Sequence, residues 1–363
     1  MKPVFTRRIL LGLVAGLTTA SSVLAQEKPR LAKVLSSEMG KPVKQAGNEI
    51  GAMADDAAVA LARSHGIDIA IDLKGYTQGG RVQLFARRLA PVQIAYLGYP
   101  GSSGADFMDY LIADPVVVPQ AMSEHYAEFV VRIPDSFMPR DTTVAIPAER
   151  PRRETHGLPE QALVLCSFNN SYKLNPASFE IWMRLLGAVE DAVLWLSESN
   201  PSAVANLRAE AARRGIAADR LIFAPRLPRI EDHYARLPLA DLFLDTWPYN
   251  AHTTASDALW AGVPVLTCAG ETFASRVAAS LLTAIGLPEL IADSPSAYER
   301  LAFDLARSRD RLAGIRAKLA THRLTYPLFD MARFTRHIEA AYAKMWARHQ
   351  AGEPPSAFDI SPQ

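Results

Sequence analysis

The stretch PYNAHTTASDALWAGVPVLT, Pro248 to Thr267, sets an imidazole, two hydroxyls and a carboxylate close together: His252, Thr253, Thr254 and Asp257. It follows the apolar run ADLFLDTW, which reads as a buried strand, so these residues fall at the mouth of the next helix. A helix N-terminus presents unpaired N–H groups and the positive end of the macrodipole, which suits a phosphate. Thr253 and Thr254 cap such an end or donate to phosphate oxygens. Asp257, one turn further in, disfavours a phosphate and suits the hydroxyls of a ribose.

Two more polar clusters have the same placement. After the strand-like ALVLCSF comes NNSYKLNP, with Asn170, Tyr172 and Lys173. After RLIFAP comes RLPRIEDHYAR, with Arg226, Arg229, His233 and Arg236. Taken singly, each residue has a structural reading: a capping threonine, a hydrogen-bonded histidine, a solvated lysine. Taken together, they lie along the carboxyl edge of one parallel sheet. Such an edge reads as a nucleoside-diphosphate site, with Tyr172 and Lys173 as candidate catalytic residues and Lys173 and Arg236 as its positive charges.

These residues need a scaffold of alternating strands and helices, and the chain supplies one. From Asp55, the run DDAAVALARSHG predicts an amphipathic helix, IDIAIDL a strand, KGYTQGGR a glycine-rich loop, VQLFARRLA a helix, and PVQIAYLGYPG and DYLIADPVVVP further strands with their turns. The proline- and arginine-rich IPAERPRRETHGLPE, Ile146 to Glu160, reads as a linker. Alternation then restarts at ALVLCSF and runs to ASRVAASLLTAIGL, after which the chain is helical. This predicts an α/β protein of two Rossmann-like domains with a C-terminal helical tail, a GT-B-like arrangement whose first domain is incomplete. The expected divisions are a signal peptide over 1–25, an unassigned segment over 26–52, a partial first domain over 53–150, a nucleotide-sugar-binding domain over 158–320, helices over 321–350 and a disordered tail over 351–363.

The 363 residues suffice for two domains, and 49% of them are hydrophobic. The 39 basic and 38 acidic side chains nearly cancel, which argues against a globally basic nucleic-acid binder. Cys166 and Cys268 sit in separate apolar runs and read as buried structural thiols, not a disulfide. The start MKPVFTRRILLGLVAGLTTASSVLAQ has a basic end, an apolar stretch and small residues up to Ala25, the layout of a secretory signal, and its paired arginines are similar to a twin-arginine leader. No other segment is long and apolar enough to span a bilayer.

Six segments, in order and spacing, resemble the catalytic region of O-linked N-acetylglucosamine transferases, the family that includes the plant SPINDLY proteins. They are GIDIAIDLKGYTQGGR, RRLAPVQIAYLGYPGSSGADFMDYLIAD, CSFNNSYKLNP, LADLFLDTWPYNAHTTASDALWAGVPVLT, GETFASRVAASLLTAIGLPELI and YPLFD, spread over roughly residues 53 to 350. The resemblance implies a GT-B fold, a UDP-N-acetylglucosamine donor and inverting transfer to Ser or Thr hydroxyls of protein acceptors, with no metal and no cofactor beyond the donor. It implies that Lys173 holds the donor β-phosphate, with Asn170 beside it where the family usually has Gln. It implies that Ala224, Arg226, His233 and Arg236 surround the uracil, that His252, Thr253 and Thr254 hold the diphosphate, and that Asp257 holds the ribose. Gly98, Tyr99 and Pro100 line the sugar pocket in that reading.

The chain departs from the family in three ways. No histidine-bearing loop of the SDF-x-x-H type precedes Asp55, the early strands of the first domain are missing from the pattern, and no tetratricopeptide repeats occur. Two alternatives therefore stay open: a UDP-sugar-binding remnant without transfer activity, and a SPINDLY-like protein O-fucosyltransferase using GDP-fucose. The resemblance implies a cytoplasmic protein, whereas use of the signal implies a periplasmic or secreted one.

Overall fold

The protein is described from a computed structural model covering residues 55–147 and 149–363, and the backbone of 9–11. The segment 1–25 expected to be a signal peptide, apart from these three residues, and the whole segment 26–52 lie outside the described residues. The chain divides into two units. One takes Met1–Ala113, Val118–Phe137 and Arg336–Gln363, the other Asp114–Val117 and Met138–Thr335. No helix among the described residues is long and apolar enough to cross a membrane.

The first unit is built on a six-stranded sheet. In chain order its strands are β1 (Ile9–Leu11), β2 (Ile69–Asp72), β3 (Val92–Ala95), β4 (Tyr110–Ala113), β5 (Phe129–Arg132) and, numbered last in the chain, β12 (Phe358–Asp359). They lie side by side in the order β1-β2-β3-β4-β5-β12, every pair parallel. Strands β2 and β4 are buried along their whole length, as apolar strands of a parallel sheet covered on both faces must be. The helix over 55–64 packs Ala58, Val59 and Ala62 against Leu84, Phe85 and Met108.

Three sequence expectations change in this unit. The helix expected over VQLFARRLA is a 3₁₀ turn, Val82–Arg87. Arg88 stops it by entering the left-handed region at φ 53°, where its Nη2 reaches both oxygens of Asp109 (2.8 and 2.7 Å) and the Pro91 carbonyl at 2.8 Å. The tail expected to be disordered contains β12, whose Phe358 pairs with Val131, while the Ile360 amide donates to the Arg132 carbonyl at 2.8 Å. Its composition is polar, but two apolar residues and a free sheet edge suffice for a short strand. β1 lies within the segment read as a signal, because the apolar core of a leader and an apolar strand have the same composition.

Past the carboxyl ends of β2 and β3, two loops interlock. The Asp72 carboxylate accepts the Lys74 and Gly75 amides, each at 2.9 Å. A Cβ on Gly98 would stand 2.2 Å from the Leu73 carbonyl oxygen, so only glycine fits there. Tyr99 packs edge-on to Tyr76 with ring centroids 5.3 Å apart.

The second unit carries its own six-stranded sheet: β6 (Leu163–Ser167), β7 (Ala192–Ser197), β8 (Leu221–Ala224), β9 (Leu242–Leu244), β10 (Val265–Cys268) and β11 (Ile291–Ala292). The order is β11-β10-β9-β6-β7-β8, again wholly parallel. Three of its helices start alike: Asn175, Asn200 and Ser294 cap them and a proline follows at once, opening Pro176–Ala188, Pro201–Arg213 and Pro295–Arg307. The strands and helices read from the sequence recur here nearly one for one, and both cysteines are buried free thiols.

The boundary differs from the expected one. It falls between Phe137 and Met138, so the proline- and arginine-rich segment belongs to the second unit. Arg153 explains why: it donates to the carbonyls of Glu160 (3.0 Å), Ala162 (2.8 Å) and Leu239 (3.0 Å) and to Asp241 Oδ2 (3.0 Å), which ties the segment to the sheet's amino-terminal side. The C-terminal helices are likewise no separate unit. Residues up to Thr335 belong to the second unit, and the rest of the helix Met331–Gln350 belongs to the first. With these corrections the fold is α/β of the GT-B type, two Rossmann-like units with a helical C-terminal region.

In the second core Trp182 is fully buried, and its Nε1 donates to the Tyr298 hydroxyl at 3.1 Å. Tyr298 in turn donates to the Asp245 carbonyl at 3.1 Å, just past the end of β9. Trp182→Ala leaves a large cavity and frees that hydroxyl. Its unfolding free energy, by urea denaturation, is expected to fall by about 3–5 kcal/mol. A loss below about 1 kcal/mol would mean the core closes over the gap.

Candidate active site

The second sheet's carboxyl edge is organised by Asp245, wholly buried at the end of β9. Its Oδ1 accepts from the Thr246 amide (2.7 Å), the Ala251 amide (2.6 Å) and Asn169 Nδ2 (3.2 Å), and its Oδ2 from Thr267 Oγ1 (2.6 Å). These bonds close the turn over 246–251 and deliver the chain to the helix Thr253–Trp260. Burial raises the Asp245 pKa to about 6, against the pull of these donors and of Lys173.

Lys173 sits in the short turn Ser171–Lys173 after β6. Its Nζ donates to the Asn250 carbonyl at 2.7 Å and lies 4.0 Å from the centre of the Tyr249 ring. Burial pulls its pKa down to about 8, with Asp245 opposing. Asn169 links the two strands: its Nδ2 donates to Thr246 Oγ1 at 2.8 Å, and its Oδ1 accepts from Thr254 Oγ1 at 2.6 Å. Asn170 next to it is exposed and its side chain makes no cap bond, while Tyr172 is 71% exposed, its ring 6.3 Å from that of Tyr249.

The threonines are not caps. His252 holds the N-cap position and makes no side-chain cap bond. The amides of Thr253 and Thr254 have no partner among the described residues, so the helix mouth is open to an acceptor. The His252 ring contacts the Ala274 carbonyl through Nε2 at 3.2 Å. Burial first, then the Lys173 charge, push its pKa down to about 3. The imidazole is therefore neutral at pH 7.

Asp257 is buried one turn into the helix, and its Oδ1 takes both a salt bridge from Arg140 Nη1 and the Tyr234 hydroxyl at 3.3 Å. At the end of β8, Ala224 is buried and Arg226 exposed. Arg236 is buried, donating to the Pro225 carbonyl at 2.7 Å and lying beside His233 Nδ1 at 3.3 Å. It therefore braces the loop and the histidine instead of offering a free cation. Burial and the Arg236 charge lower the His233 pKa to about 4.

The edge thus unites Asn170, Tyr172 and Lys173 with His252, Thr253, Thr254 and Asp257 through Asn169 and the turn over 246–251. Ala224, Arg226, His233 and Arg236 cluster at β8, and Phe168, whose ring is 5.8 Å from His233, joins them to β6. Gly98, Tyr99 and Pro100 lie in the first unit, in the loop after β3. The sequence reading missed Asp245, Asn169 and Arg140. An acidic residue closing the apolar run DLFLD was a usable signal for Asp245.

The neutral imidazole has a consequence for acid stability. Between about pH 6.5 and pH 3 the unfolded chain binds a proton at position 252 that the folded chain refuses, so stability falls on acidification. Denaturant melts from pH 6.5 to 4 are expected to show a shallower decline for His252→Asn than for the parent. Asp245 acts in the opposite direction between its ordinary 3.8 and about 6, but equally in both proteins. Equal slopes would mean His252 titrates as in water.

Comparison with known proteins agrees with this architecture. A probable UDP-N-acetylglucosamine–peptide N-acetylglucosaminyltransferase, SEC of Arabidopsis thaliana, is 37% identical over 318 residues, 86% of this chain and 32% of that protein. The SPINDLY protein of Oryza sativa subsp. japonica is 32% identical over 322 residues, 87% of this chain and 34% of that protein. The chain therefore spans about a third of the length of these curated relatives. Among solved structures, a mutant of the Thermobaculum terrenum O-GlcNAc transferase superposes with a TM-score of 0.74 at 27% identity, over 94% of this chain and 68% of that one. A UDP-forming trehalose-phosphate synthase from Burkholderia xenovorans shares the fold, with a TM-score of 0.52 at 12% identity over 78% of this chain and 75% of that one. The sequence model of glycosyl transferase family 41 matches residues 49–149 and 142–338, and the chain belongs to that family.

Proposed function

We propose that this chain transfers N-acetylglucosamine from UDP-N-acetylglucosamine to Ser and Thr hydroxyls of proteins, with inversion and without a metal. The observation that carries the reading is the second sheet's edge: a lysine ammonium after β6 and open amides at a helix mouth after β9, joined by one hydrogen-bonded turn, in a chain 37% identical to a protein bearing that activity's name. In this reading the diphosphate rests on the Thr253 and Thr254 amides and hydroxyls, with neutral His252 beside it. Lys173 neutralises the charge that grows on the β-phosphate as the bond from the anomeric carbon to the phosphate oxygen breaks. The acceptor oxygen bonds to the anomeric carbon from the opposite face, and its proton passes to a donor phosphate oxygen. Asp257 takes the ribose hydroxyls, Asn170 lies beside Lys173 at the phosphate, and Ala224, Arg226 and His233 surround the uracil.

Incubation of the full chain with labelled UDP-N-acetylglucosamine and a Ser/Thr peptide mixture tests this. Label on peptide supports it. UDP binding without label transfer would leave a nucleotide-sugar-binding protein, and displacement of UDP by GDP at equal concentration would point to a guanine donor.

Lys173→Met removes one preorganised cation and is expected to slow transfer about a hundred- to a thousandfold. It also frees the Asn250 carbonyl, a loss of about 1 kcal/mol, or roughly 2–4 °C in melting temperature for a unit of this size. Undiminished turnover would show that the lysine is structural only.

A further inference from the structure

Arg140 is out of place as a structural residue. It is buried, yet only Nη1 has a hydrogen-bond partner, the Asp257 carboxylate. Its Nε and Nη2 are buried without one. Burying a guanidinium with two donors unsatisfied is costly, and rules of this kind are broken chiefly at functional sites. Its plane is held by aromatic faces, with Cζ 4.9 Å from the centre of the Tyr234 ring and 5.6 Å from that of Trp260. Trp260 is itself anchored through Nε1 to the Val144 carbonyl at 3.2 Å. All four residues lie within the second unit.

On Asp257 the bonds are unevenly shared. Arg140 and Tyr234 both address Oδ1, and no described residue donates to Oδ2. A carboxylate with one oxygen saturated by a cation and the other free is a bound, oriented acceptor for a pair of neighbouring hydroxyls.

We infer that Arg140 is a positioning residue of the donor site, fixing the Asp257 carboxylate so that its second oxygen stays free for the vicinal diol of the donor's ribose. This rests on the reading of Asp257 as the ribose-holding group. Without Arg140 the buried carboxylate loses its counter-charge and its fixed orientation, and it turns away. That change removes recognition of the diol while leaving the diphosphate contacts at the helix mouth.

The test compares UDP with 2′,3′-dideoxy-UDP by calorimetry in the parent chain, Arg140→Met and Asp257→Ala. The parent is expected to prefer UDP by roughly ten- to a hundredfold, the range for hydrogen bonds to a charged group. Arg140→Met should bring the two ligands within about threefold of each other, with the dideoxy affinity unchanged. Should the methionine variant unfold, Arg140→Gln is read in the same way. An Arg140 variant that keeps the parental preference while Asp257→Ala abolishes it overturns the inference and spares the ribose reading. An Asp257→Ala variant that keeps the preference overturns both. A parallel loss for both ligands in the Arg140 variant would make the arginine merely structural and also overturn the inference.

Discussion

A carboxylate buried where the β9 strand ends has to be surrounded by donors, and most of the site's shape follows from that need. An ionised carboxylate without partners is too costly to bury. Asp245 meets the requirement with two backbone amides from the turn that follows it, a hydroxyl from β10 and an amide from the loop after β6. Each donor fixes a different piece of chain. The Ala251 amide sets the entry to the helix Thr253–Trp260, and Asn169 passes the constraint on to Thr254. The loop after β6 and the helix after β9 are thus one hydrogen-bonded body.

The same point is tied to the apolar interior. Tyr298 bonds the Asp245 carbonyl and accepts from Trp182, so the position of the edge is referred to the packing of the largest core side chains. Groups held this way need little reorganisation when charge arrives, which is the form of electrostatic help a diphosphate leaving group requires.

The second unit was largely legible in the sequence because buried parallel strands read as unbroken apolar runs and its helices announce themselves with Asn-Pro or Ser-Pro starts. The placement of the candidate site residues was legible for a related reason: in such a sheet, whatever polar residues follow a strand must lie on one edge. Residues whose role depends on distant chain were not legible. Asn169 and Asn170 are adjacent and alike in type, and only the direction in which β6 ends decides that Asn169 is buried and Asn170 exposed. Arg140 is 117 positions from Asp257, with no local pattern to connect them. In the first unit, β12 is two residues long, below what periodicity detects, and the stop at Arg88 depends on a bond to Asp109 that spacing does not reveal.

The pairing of Arg140 with Asp257 also resolves a conflict within the edge itself. A buried carboxylate one turn from an open helix mouth would repel the anions that such a mouth attracts. With the guanidinium on it, the pair is neutral as a unit, and the remaining carboxylate behind the turn, Asp245, is enclosed by donors and pushed up to about 6. His252 is neutral and so brings no charge of its own to the edge. What faces an incoming anion is then the open amides and Lys173, whose ammonium, lowered to about 8 by burial, remains mostly protonated at pH 7. Burial weakens the lysine's hold on its own proton, and the same low dielectric strengthens its attraction for a phosphate. The arrangement therefore keeps an oriented carboxylate and a cation on one sheet edge without letting one cancel the other.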